Sequence, residues 1–481
     1  MTIPGWEMVV GLEVHVQLKT RTKAFCNCTV EYGAAPNVNT CPICLALPGS
    51  LPVLNARAVE LAVRAAVALG CTVNHVSVFA RKNYFYPDLP KGYQISQFDR
   101  PLAENGQIEI GTRVDGDAIR VGITRVHMEE DAGKSIHDRY PGVTAIDLNR
   151  AGVPLIEIVS EPDMRSSEGA GAYLRTLKQI LQYIAVSDCD MEKGSLRVDA
   201  NVSARRQGAT KLGTKTEVKN LNSFANVERA LDLEFQRQVR ALEAGGSIEQ
   251  QTMLFDAVRN EVRAARSKEG SHDYRYFPEP DLLPLVLTST DVDRARHSLP
   301  ELPAARRARF VSDYALGPVE IEVLSSSAAL ADYFEAVARH SGNAKAAANW
   351  VINGVLGAVN ASGTPLEQLR VRPADLASMI RMVSDGIISG AAAKQVFAEM
   401  VRTGERPEQI AKRDGLLRVE DDSALVRWID EVIAEHPTEA GRFLAGERKL
   451  QGVLVGLVMK KSKGSADAKK VNQLLASRVS G

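Results

Sequence analysis

Four of the chain's six cysteines lie within nineteen residues, as the close pairs Cys26/Cys28 and Cys41/Cys44. Zinc accepts four thiolates in a tetrahedron, and two pairs joined by a loop can supply that geometry. The first pair is tighter than the usual C-x2-C spacing, and four ordinary buried cysteines are the alternative interpretation. With only thiolates as ligands, the spacing predicts a structural zinc site and not a catalytic one.

Carboxylates and one imidazole form a second set of candidates, spread over four segments. They are Glu13 and His15 in the first segment, Glu129, Glu130 and Asp131 close after His127 in the second, and Glu157 and Asp199 in the others. A lone acid on a strand is usually just solvated, and no spacing rule makes these segments converge. Gathered on one sheet, they would suit Mg²⁺ bound largely through oxygen, with the phosphates of a nucleotide completing its shell.

No phosphate-binding loop accompanies these acids. Residues 131–135 resemble the end of a Walker A loop, but Met128 stands where its first glycine is required. Two segments, 81–98 and 271–281, instead interleave aromatic with basic side chains, which suits base stacking and phosphate binding. Loops packed over a sheet are the alternative for either segment.

The charge balance gives no overall nucleic-acid signal, because 59 Lys and Arg match 59 Asp and Glu. A local basic patch near the C-terminus would still allow a helical tail to bind an RNA backbone. An ordinary solvated face is the alternative. The basic residues are Arg448, Lys449, Lys460, Lys461, Lys463, Lys469 and Lys470.

The elements that must position these residues indicate an α+β fold. Residues 11–18 alternate strictly, which predicts a half-buried strand with Glu13 and His15 on its polar face. Further strands are predicted at 119–124 and 194–203. Capping and apolar spacing predict helices at 55–69, 167–184 and 223–244.

After residue 300 the strand pattern ends and helical periodicity dominates. It predicts helices at 328–341, 344–360, 373–388, 391–402, 422–435 and 441–459. At 481 residues the chain should contain two to four domains. We expect a catalytic domain at 1–294, a helical domain at 295–405 and a helical tail at 406–481. No membrane span or signal peptide is recognisable, so we expect a cytoplasmic protein.

The chain closely resembles the B subunits of the GatCAB tRNA-dependent amidotransferases over nearly its whole length. The resemblance rests on long, specific motifs and not on single residues. They lie at 11–18, 81–88, 129–135, 147–150, 153–163, 219–224 and 273–281.

The resemblance implies a cradle domain like that of glutamine synthetase and guanidino kinases, followed by a helical domain and a tail that contacts tRNA. It implies ATP-dependent phosphorylation of the side-chain carboxylate of Glu-tRNA(Gln) or Asp-tRNA(Asn), then amidation by ammonia. The ammonia would come through a tunnel from the amidase subunit of the complex, and a small third subunit would complete a heterotrimer.

The resemblance also implies roles for individual residues. Glu13, His15, Glu130, Glu157 and Asp199 would be the catalytic residues, with the first four as Mg²⁺ ligands. Lys82, Arg197 and Lys219 would contact phosphate or substrate. The expected cofactors are ATP, Mg²⁺ and a structural zinc that the chemistry itself does not need.

Two alternatives stay open at this point. One is a non-catalytic, zinc-containing subunit that binds tRNA as a scaffold. The other is a self-contained ligase that makes its own ammonia, but the sequence lacks both an amidase Ser/Lys signature and an N-terminal cysteine nucleophile.

Overall fold

The computed structural model describes the chain as two compact units, Met1–Leu302 and Pro303–Gly481. The described residues are 3–112, 118–137, 139, 141–265, 274–418, 422–462 and 464–479.

A nine-stranded mixed sheet forms the first unit. The strands of this unit, in chain order, are β1 Trp6–Gln17, β2 Thr72–Val73, β3 Val76–Ser77, β4 Phe79–Asn83, β5 Tyr93–Gln97, β6 Ala103–Thr112, β7 Ala118–Glu130, β8 Lys134–Ile136, β9 Ala145–Asp147, β10 Pro154–Ser160, β11 Leu196–Arg206, β12 Thr216–Lys219, β13 Thr252–Asp256, β14 Glu261–Ala264, β15 Phe277–Pro278 and β16 Leu285–Val286. The large sheet has the order β14-β13-β12-β11-β1-β10-β7-β6-β2. Among its described strands, β12 and β13 pair in parallel and the other neighbours pair antiparallel.

Strand β1 lies at the centre of this sheet and is longer than the predicted strand. Its even-numbered residues are fully buried from Met8 to Val16, whereas Gly11, Glu13, His15 and Gln17 are only partly covered. Successive side chains of a strand point to opposite faces, so one face joins the hydrophobic core and the other carries the polar residues.

Three helices cover the apolar face, close to the predicted bounds. They are α1 Ala56–Ala68, α2 Ser167–Tyr183 and α3 Phe224–Glu243. The side chains of Asn55, Ser166 and Ser223 accept hydrogen bonds from backbone N–H groups in the first turns, which satisfies donors that have no partner within the helix. The helix α4 Ser289–His297 packs against α1.

Three smaller sheets border the large one. They are the three-stranded sheet β15-β4-β5 and the two-stranded pairs β16-β3 and β8-β9. The first of them contains residues 81–83 and 93–97 of the aromatic segment 81–98. Residues 271–273 of the second aromatic segment lie outside the described residues.

The second unit is helical. Its described α-helices are α5 Pro303–Tyr314, α6 Pro318–Leu324, α7 Ala328–Ser341, α8 Ala344–Trp350, α9 Leu356–Ser362, α10 Pro373–Ser384, α11 Gly390–Thr403, α12 Pro407–Arg413, α13 Asp422–Glu435, α14 Pro437–Leu444, α15 Gln451–Lys461 and α16 Ala468–Val479. One apolar core lies between Phe310 and Leu416, and a second lies between Leu425 and Leu475.

Of two long helices expected in this unit, one is continuous and the other is divided. In the helix at 344–360 a π-helical turn, Val351–Val355, lies between α8 and α9 without ending the helix. Between α14 and α15 the chain turns at Gly446, whose φ of +106° is a conformation that favours glycine. The prediction of one helix at 344–360 is therefore confirmed, whereas that of a single helix at 441–459 was wrong, because apolar spacing does not reveal a short break between two helices that share a core.

The α+β fold class is confirmed, with a mixed-sheet region followed by a helical one. The division into three domains stays a prediction. Within the described residues, no helix is both long and apolar enough to cross a membrane.

Candidate functional site

The pairing register of the sheet gathers three of the predicted acids, Glu13, Glu157 and Asp199, on one face with His15. His15 of β1 lies opposite Glu157 on one side and Arg197 on the other, and Glu13 lies opposite Asp199. On the next strand His127 lies opposite Glu157. Directly paired residues point to the same side of a sheet, so these side chains form one polar surface.

The tightest group on this surface consists of His15, Glu129 and Glu157. The Nε2 atom of His15 lies 3.2 Å from Oε2 of Glu157 and 3.5 Å from Oε1 of Glu129. One ligand atom from each residue lies within 4.8 Å of the others. Two carboxylates and one imidazole at this spacing fit a divalent cation whose remaining positions stay open to phosphate or water.

The electrostatics of this group depend on two histidines. Burial lowers the pKa of His15, but its hydrogen bond with Glu157 and the charges of Glu157 and Glu129 outweigh burial and raise that pKa to about 9. His127 approaches Glu157 to 3.4 Å from the other side. Although burial opposes it, both imidazoles hold the pKa of Glu157 well below its usual value, so the carboxylate stays ionised.

Glu13 and Asp199 lie on the same face but belong to a different network. Lys219 donates a 2.7 Å hydrogen bond to Asp199 and lies 2.9 Å from Glu217. Asn201 donates to Glu13 over 3.0 Å. Burial raises the pKa of Glu13, and the charges of Glu157 and Glu217 raise it further. This side of the surface therefore concentrates negative charge around Lys219.

Arg197 forms an ion pair with the buried carboxylate of Asp131. Its Nη2 atom lies 3.0 Å from Oδ2 of Asp131, which also accepts a 2.8 Å hydrogen bond from Gln17. Arg150 lies 3.6 Å from the other oxygen of Asp131. The side chain of Arg197, which was predicted to contact substrate, therefore forms an ion pair with a buried acid in this structure.

Glu130 lies outside the group around His15. Its carboxylate pairs with the ammonium of Lys91 and accepts a 2.9 Å hydrogen bond from the backbone N–H of Ile95. The pair lines a cavity of about 180 Å³ together with Lys23 and Cys44. Because consecutive residues of β7 point to opposite faces, Glu129 and not Glu130 stands beside His15 and Glu157.

Lys82 approaches the polar surface from β4. Its ammonium lies 4.8 Å from the ring centre of Tyr274 and 6.0 Å from that of Tyr84. Burial lowers the pKa of Lys82, but the charges of Glu129 and Glu157 are among those that raise it overall, so the lysine stays charged. Nearby, the rings of Phe98 and Tyr276 stack at 4.2 Å. This corner combines a cation with several ring faces.

The four paired cysteines converge as predicted. The Sγ atom of Cys44 lies 3.5 Å from that of Cys26 and 3.7 Å from those of Cys28 and Cys41. With Zn–S bonds of about 2.3 Å, the sulfurs of a tetrahedral site lie about 3.8 Å apart. All four cysteines are free thiols in the structure. The donor set and its spacing therefore fit zinc.

Lys23 connects this cluster to the rest of the unit. Its side chain is fully buried, and its ammonium donates to Sγ of Cys44 over 3.3 Å, to the carbonyl of Asn39 over 2.7 Å and to that of Leu148 over 3.2 Å. Three acceptors satisfy the three donors of a buried ammonium. Lys23 also helps to lower the pKa of Cys44 to about 4, after the larger effect of its hydrogen bond with Cys26.

Two of the described C-terminal basic residues have acidic partners. Lys461 lies near Glu431 and Glu435, and Lys470 lies 3.6 Å from Asp422. Lys463 lies outside the described residues. The described structure therefore leaves the RNA-binding role of this tail a prediction.

Comparison with known proteins decides the family. A model described as the GatB/GatE catalytic domain matches residues 8–293, and a model described as the GatB domain matches residues 332–479. This chain belongs to the GatB family.

Curated GatB relatives match the chain from end to end. Two are named as the B subunit of an aspartyl/glutamyl-tRNA(Asn/Gln) amidotransferase, from Carboxydothermus hydrogenoformans and Persephonella marina, and each is 50% identical to this chain. The first alignment covers 98% of this chain and 99% of the relative, and the second covers 98% of both. A relative of the same name from Geobacter sulfurreducens is 49% identical over 99% of this chain and 100% of its own length. The resemblance noted in the sequence is thus confirmed as GatB family membership.

Two residues of this GatB chain were not among the predicted site residues. Glu129 completes the cluster with His15 and Glu157, and His127 contacts Glu157. Both lie in an acid-bearing segment that the sequence had singled out, but the family resemblance pointed to Glu130. The predicted strand ended at residue 124, so the alternation that places His127 and Glu129 on one face was not recognised. The assignments of catalytic and metal-binding roles remain predictions.

Proposed function

We propose that this chain is the kinase and transamidase subunit of a GatCAB enzyme. Its substrates are Glu-tRNA(Gln) or Asp-tRNA(Asn), and its products are Gln-tRNA(Gln) or Asn-tRNA(Asn). The convergence of His15, Glu129 and Glu157 on one sheet face carries the proposal. The names of the relatives support the tRNA substrates.

The reaction has two steps because a carboxylate is a poor electrophile. A side-chain carboxylate oxygen of the misacylated tRNA attacks the γ-phosphorus of ATP, and ADP leaves. Ammonia then attacks the carbonyl carbon of the acyl phosphate, the C–O bond to phosphate breaks, and inorganic phosphate leaves with the amide formed. Phosphoryl transfer depends on positioning and charge neutralisation, so no protein nucleophile is required.

The chain's own residues would hold and orient the reactants. His15, Glu129 and Glu157 would bind Mg²⁺, which neutralises phosphate charge when present. Glu13 and Asp199 would provide further acidic contacts beside it. The cations Lys82, Arg197 and Lys219 surround this surface and would contact phosphate or the substrate carboxylate.

The cysteine cluster would hold zinc in a structural role. All four donors are thiolates, so no position is left for a reactant. The cluster fixes the segment that contains Lys23, which borders the cavity of the Lys91–Glu130 pair.

The proposed partners follow from the reaction. The amidase of the heterotrimer would hydrolyse glutamine and supply ammonia through a tunnel. The small third subunit would join the amidase to this chain. The helical tail would bind the body of the tRNA.

Conversion of Glu-tRNA(Gln) with ammonium chloride in place of glutamine tests the proposal directly. We expect the heterotrimer, reconstituted with the amidase and the small subunit, to form Gln-tRNA(Gln) only with ATP. Glu157→Gln should lower this rate at least 100-fold, because it removes the negative charge that the imidazoles of His15 and His127 contact. Glu60→Gln is the control, since Glu60 forms only an exposed pair with Arg57.

The alternative scaffold function makes the opposite prediction. Equal conversion by wild type and Glu157→Gln would mean that the acids are structural and that this chain only binds tRNA. Glutaminase activity of the isolated chain would instead favour a self-contained ligase.

A further inference from the structure

A group of polar side chains lies buried between the helix α3 and the strands β11 and β12. It consists of Thr216, Glu234 and Gln238, all of which are inaccessible to solvent. The hydroxyl of Thr216 donates a 2.8 Å hydrogen bond to Glu234 and accepts one of 2.9 Å from the side-chain amide of Gln238. Arg237 donates two hydrogen bonds of 2.7 Å to the same carboxylate. The buried acid is therefore paired and fully surrounded.

This group lies on the apolar side of the sheet, where the helices pack. Along β12, Thr216 and Val218 are fully buried, whereas Glu217 and Lys219 on the other face are partly exposed. Removing a carboxylate and its partner from water costs free energy that their attraction barely offsets, and apolar residues in such a place often stabilise a fold as well. A satisfied buried network can instead specify one arrangement of the elements around it.

The group determines where β12 begins. This strand has only four residues, and its pairing with β11 starts at Thr216 opposite Val202. Beyond that point the side-chain amide of Gln238 takes the place of a neighbouring strand. It accepts a 2.9 Å hydrogen bond from the backbone N–H of Ala204 and donates one of 3.1 Å to the carbonyl of Val202. Because so short a strand has few ladder hydrogen bonds, these buried side chains fix its register.

The same strand carries Lys219 on the polar face. The ammonium of Lys219 donates a 2.7 Å hydrogen bond to Asp199 of β11 and lies 2.9 Å from Glu217. Its side chain is 40% exposed, so packing alone does not hold it. A shift of β12 by one residue would turn Lys219 toward the hydrophobic core. The position of this cation therefore depends on the register that begins at Thr216.

We propose that Thr216, Glu234 and Gln238 are positioning residues that hold Lys219 in place for phosphoryl transfer. The inference rests on the proposed function, in which Lys219 contacts phosphate or the substrate carboxylate. The three side chains lie on the opposite side of the sheet from the reactants, so they act through the backbone of β12. Phosphoryl transfer depends on positioning and charge neutralisation, so a small displacement of a contacting cation slows it.

Thr216→Val tests the proposal because it keeps the shape of the side chain and removes the hydroxyl. In the heterotrimer with ammonium chloride, we expect kcat to fall about tenfold in Thr216→Val and about 100-fold in Lys219→Met. The double variant should be no slower than Lys219→Met, since the register of β12 no longer matters once the cation is gone. Thr216→Ser, which keeps the hydroxyl, should restore most of the wild-type rate.

A second variant and a second measurement protect the test against a folding defect. Gln238→Met removes the amide at similar volume and enters the same comparison with Lys219→Met. In both network variants, hydrogen exchange of peptides that cover β12 should be about tenfold faster than in wild type, with exchange in α1 unchanged. Ser167→Ala is the matched control, because it removes another buried hydroxyl that donates to an acid of α3, Asp232, but lies at the start of α2. It should change neither kcat nor exchange in β12.

The outcomes separate this proposal from the proposed function. Defects that multiply in the double variants, or an unchanged kcat in Lys219→Met or in both network variants, would overturn the positioning role. Normal exchange of β12 in both network variants would overturn it as well. A wild-type heterotrimer that forms no Gln-tRNA(Gln) with ATP would instead refute the proposed function, and with it the reaction for which Lys219 is positioned.

Discussion

At the scale of single residues, two consecutive glutamates have different surroundings. Glu129 lies 3.5 Å from His15, whereas Glu130 pairs with Lys91 and with the backbone N–H of Ile95. The two glutamates have the same charge and size and are neighbours in sequence, so only the pleat of β7, which points them to opposite faces, separates their surroundings. The family resemblance assigned metal binding to Glu130, and the geometry proposes Glu129 for that role.

Glu129→Gln and Glu130→Gln separate these assignments. We expect Glu129→Gln to weaken Mn²⁺ binding, measured by electron paramagnetic resonance, at least tenfold, because it removes one of two carboxylate ligands. Glu130→Gln should change Mn²⁺ affinity less than threefold but still lower amidation, since Lys91 would lose its anionic partner. The reverse order of Mn²⁺ affinities would restore Glu130 as the ligand.

At the scale of elements, the cysteine loop is tied to the segment before β10. Asn37 donates to the carbonyl of Ile146, and the backbone N–H of Asn39 donates to Asn149. The backbone of Leu148 donates to Asn37 and accepts from Lys23. A loop held by these hydrogen bonds, and by zinc if the cysteine cluster binds it, would position neighbouring backbone without contacting substrate.

Lys23→Met should therefore loosen the zinc site. It keeps the aliphatic packing of the side chain but removes the charge that faces Cys44, so the thiolates lose a compensating cation. We expect zinc release to a chromogenic chelator to be at least tenfold faster than in wild type. Lys19→Met, at an exposed lysine of the same segment, is the matched control. Equal release rates in all three proteins would show that Lys23 does not stabilise the site.

At the scale of the whole molecule, the helical unit contains two apolar cores. Ile410, Ala411 and Leu416 pack into the first core, beyond the predicted boundary at residue 405. The second core begins at Leu425. A truncation at 405 would therefore remove apolar side chains from the core that remains, at a cost of about 2–5 kcal/mol for each large one.

Two truncations test this division. Deleting 422–481 should weaken tRNA binding at least tenfold in a filter assay and leave the melting temperature of the remaining chain within a few degrees of its normal value. Deleting 406–481 should weaken tRNA binding equally but also lower the melting temperature. Normal tRNA affinity in both proteins would refute a tRNA-binding tail, and equal melting temperatures would refute the later boundary.

Local features of this chain follow from its amino-acid sequence alone. Capping residues such as Asn55 and Ser223, the alternation around Glu13 and His15, and the two cysteine pairs each depend on neighbours a few positions away. Long motifs likewise identify the family. These signals are readable because helix periodicity, strand periodicity and metal-ligand spacing are short-range properties.

Which of these residues meet depends on the tertiary structure. His15 and Glu157 are 142 positions apart in sequence but become neighbours through the register of β1 and β10. If β10 were shifted by one residue against β1, the side chain of Glu157 would turn toward the hydrophobic core. The choice between Glu129 and Glu130 and the contact of Lys23 with Leu148 both arise from contacts between distant segments. Such contacts depend on the packing of the whole sheet, which no local pattern records.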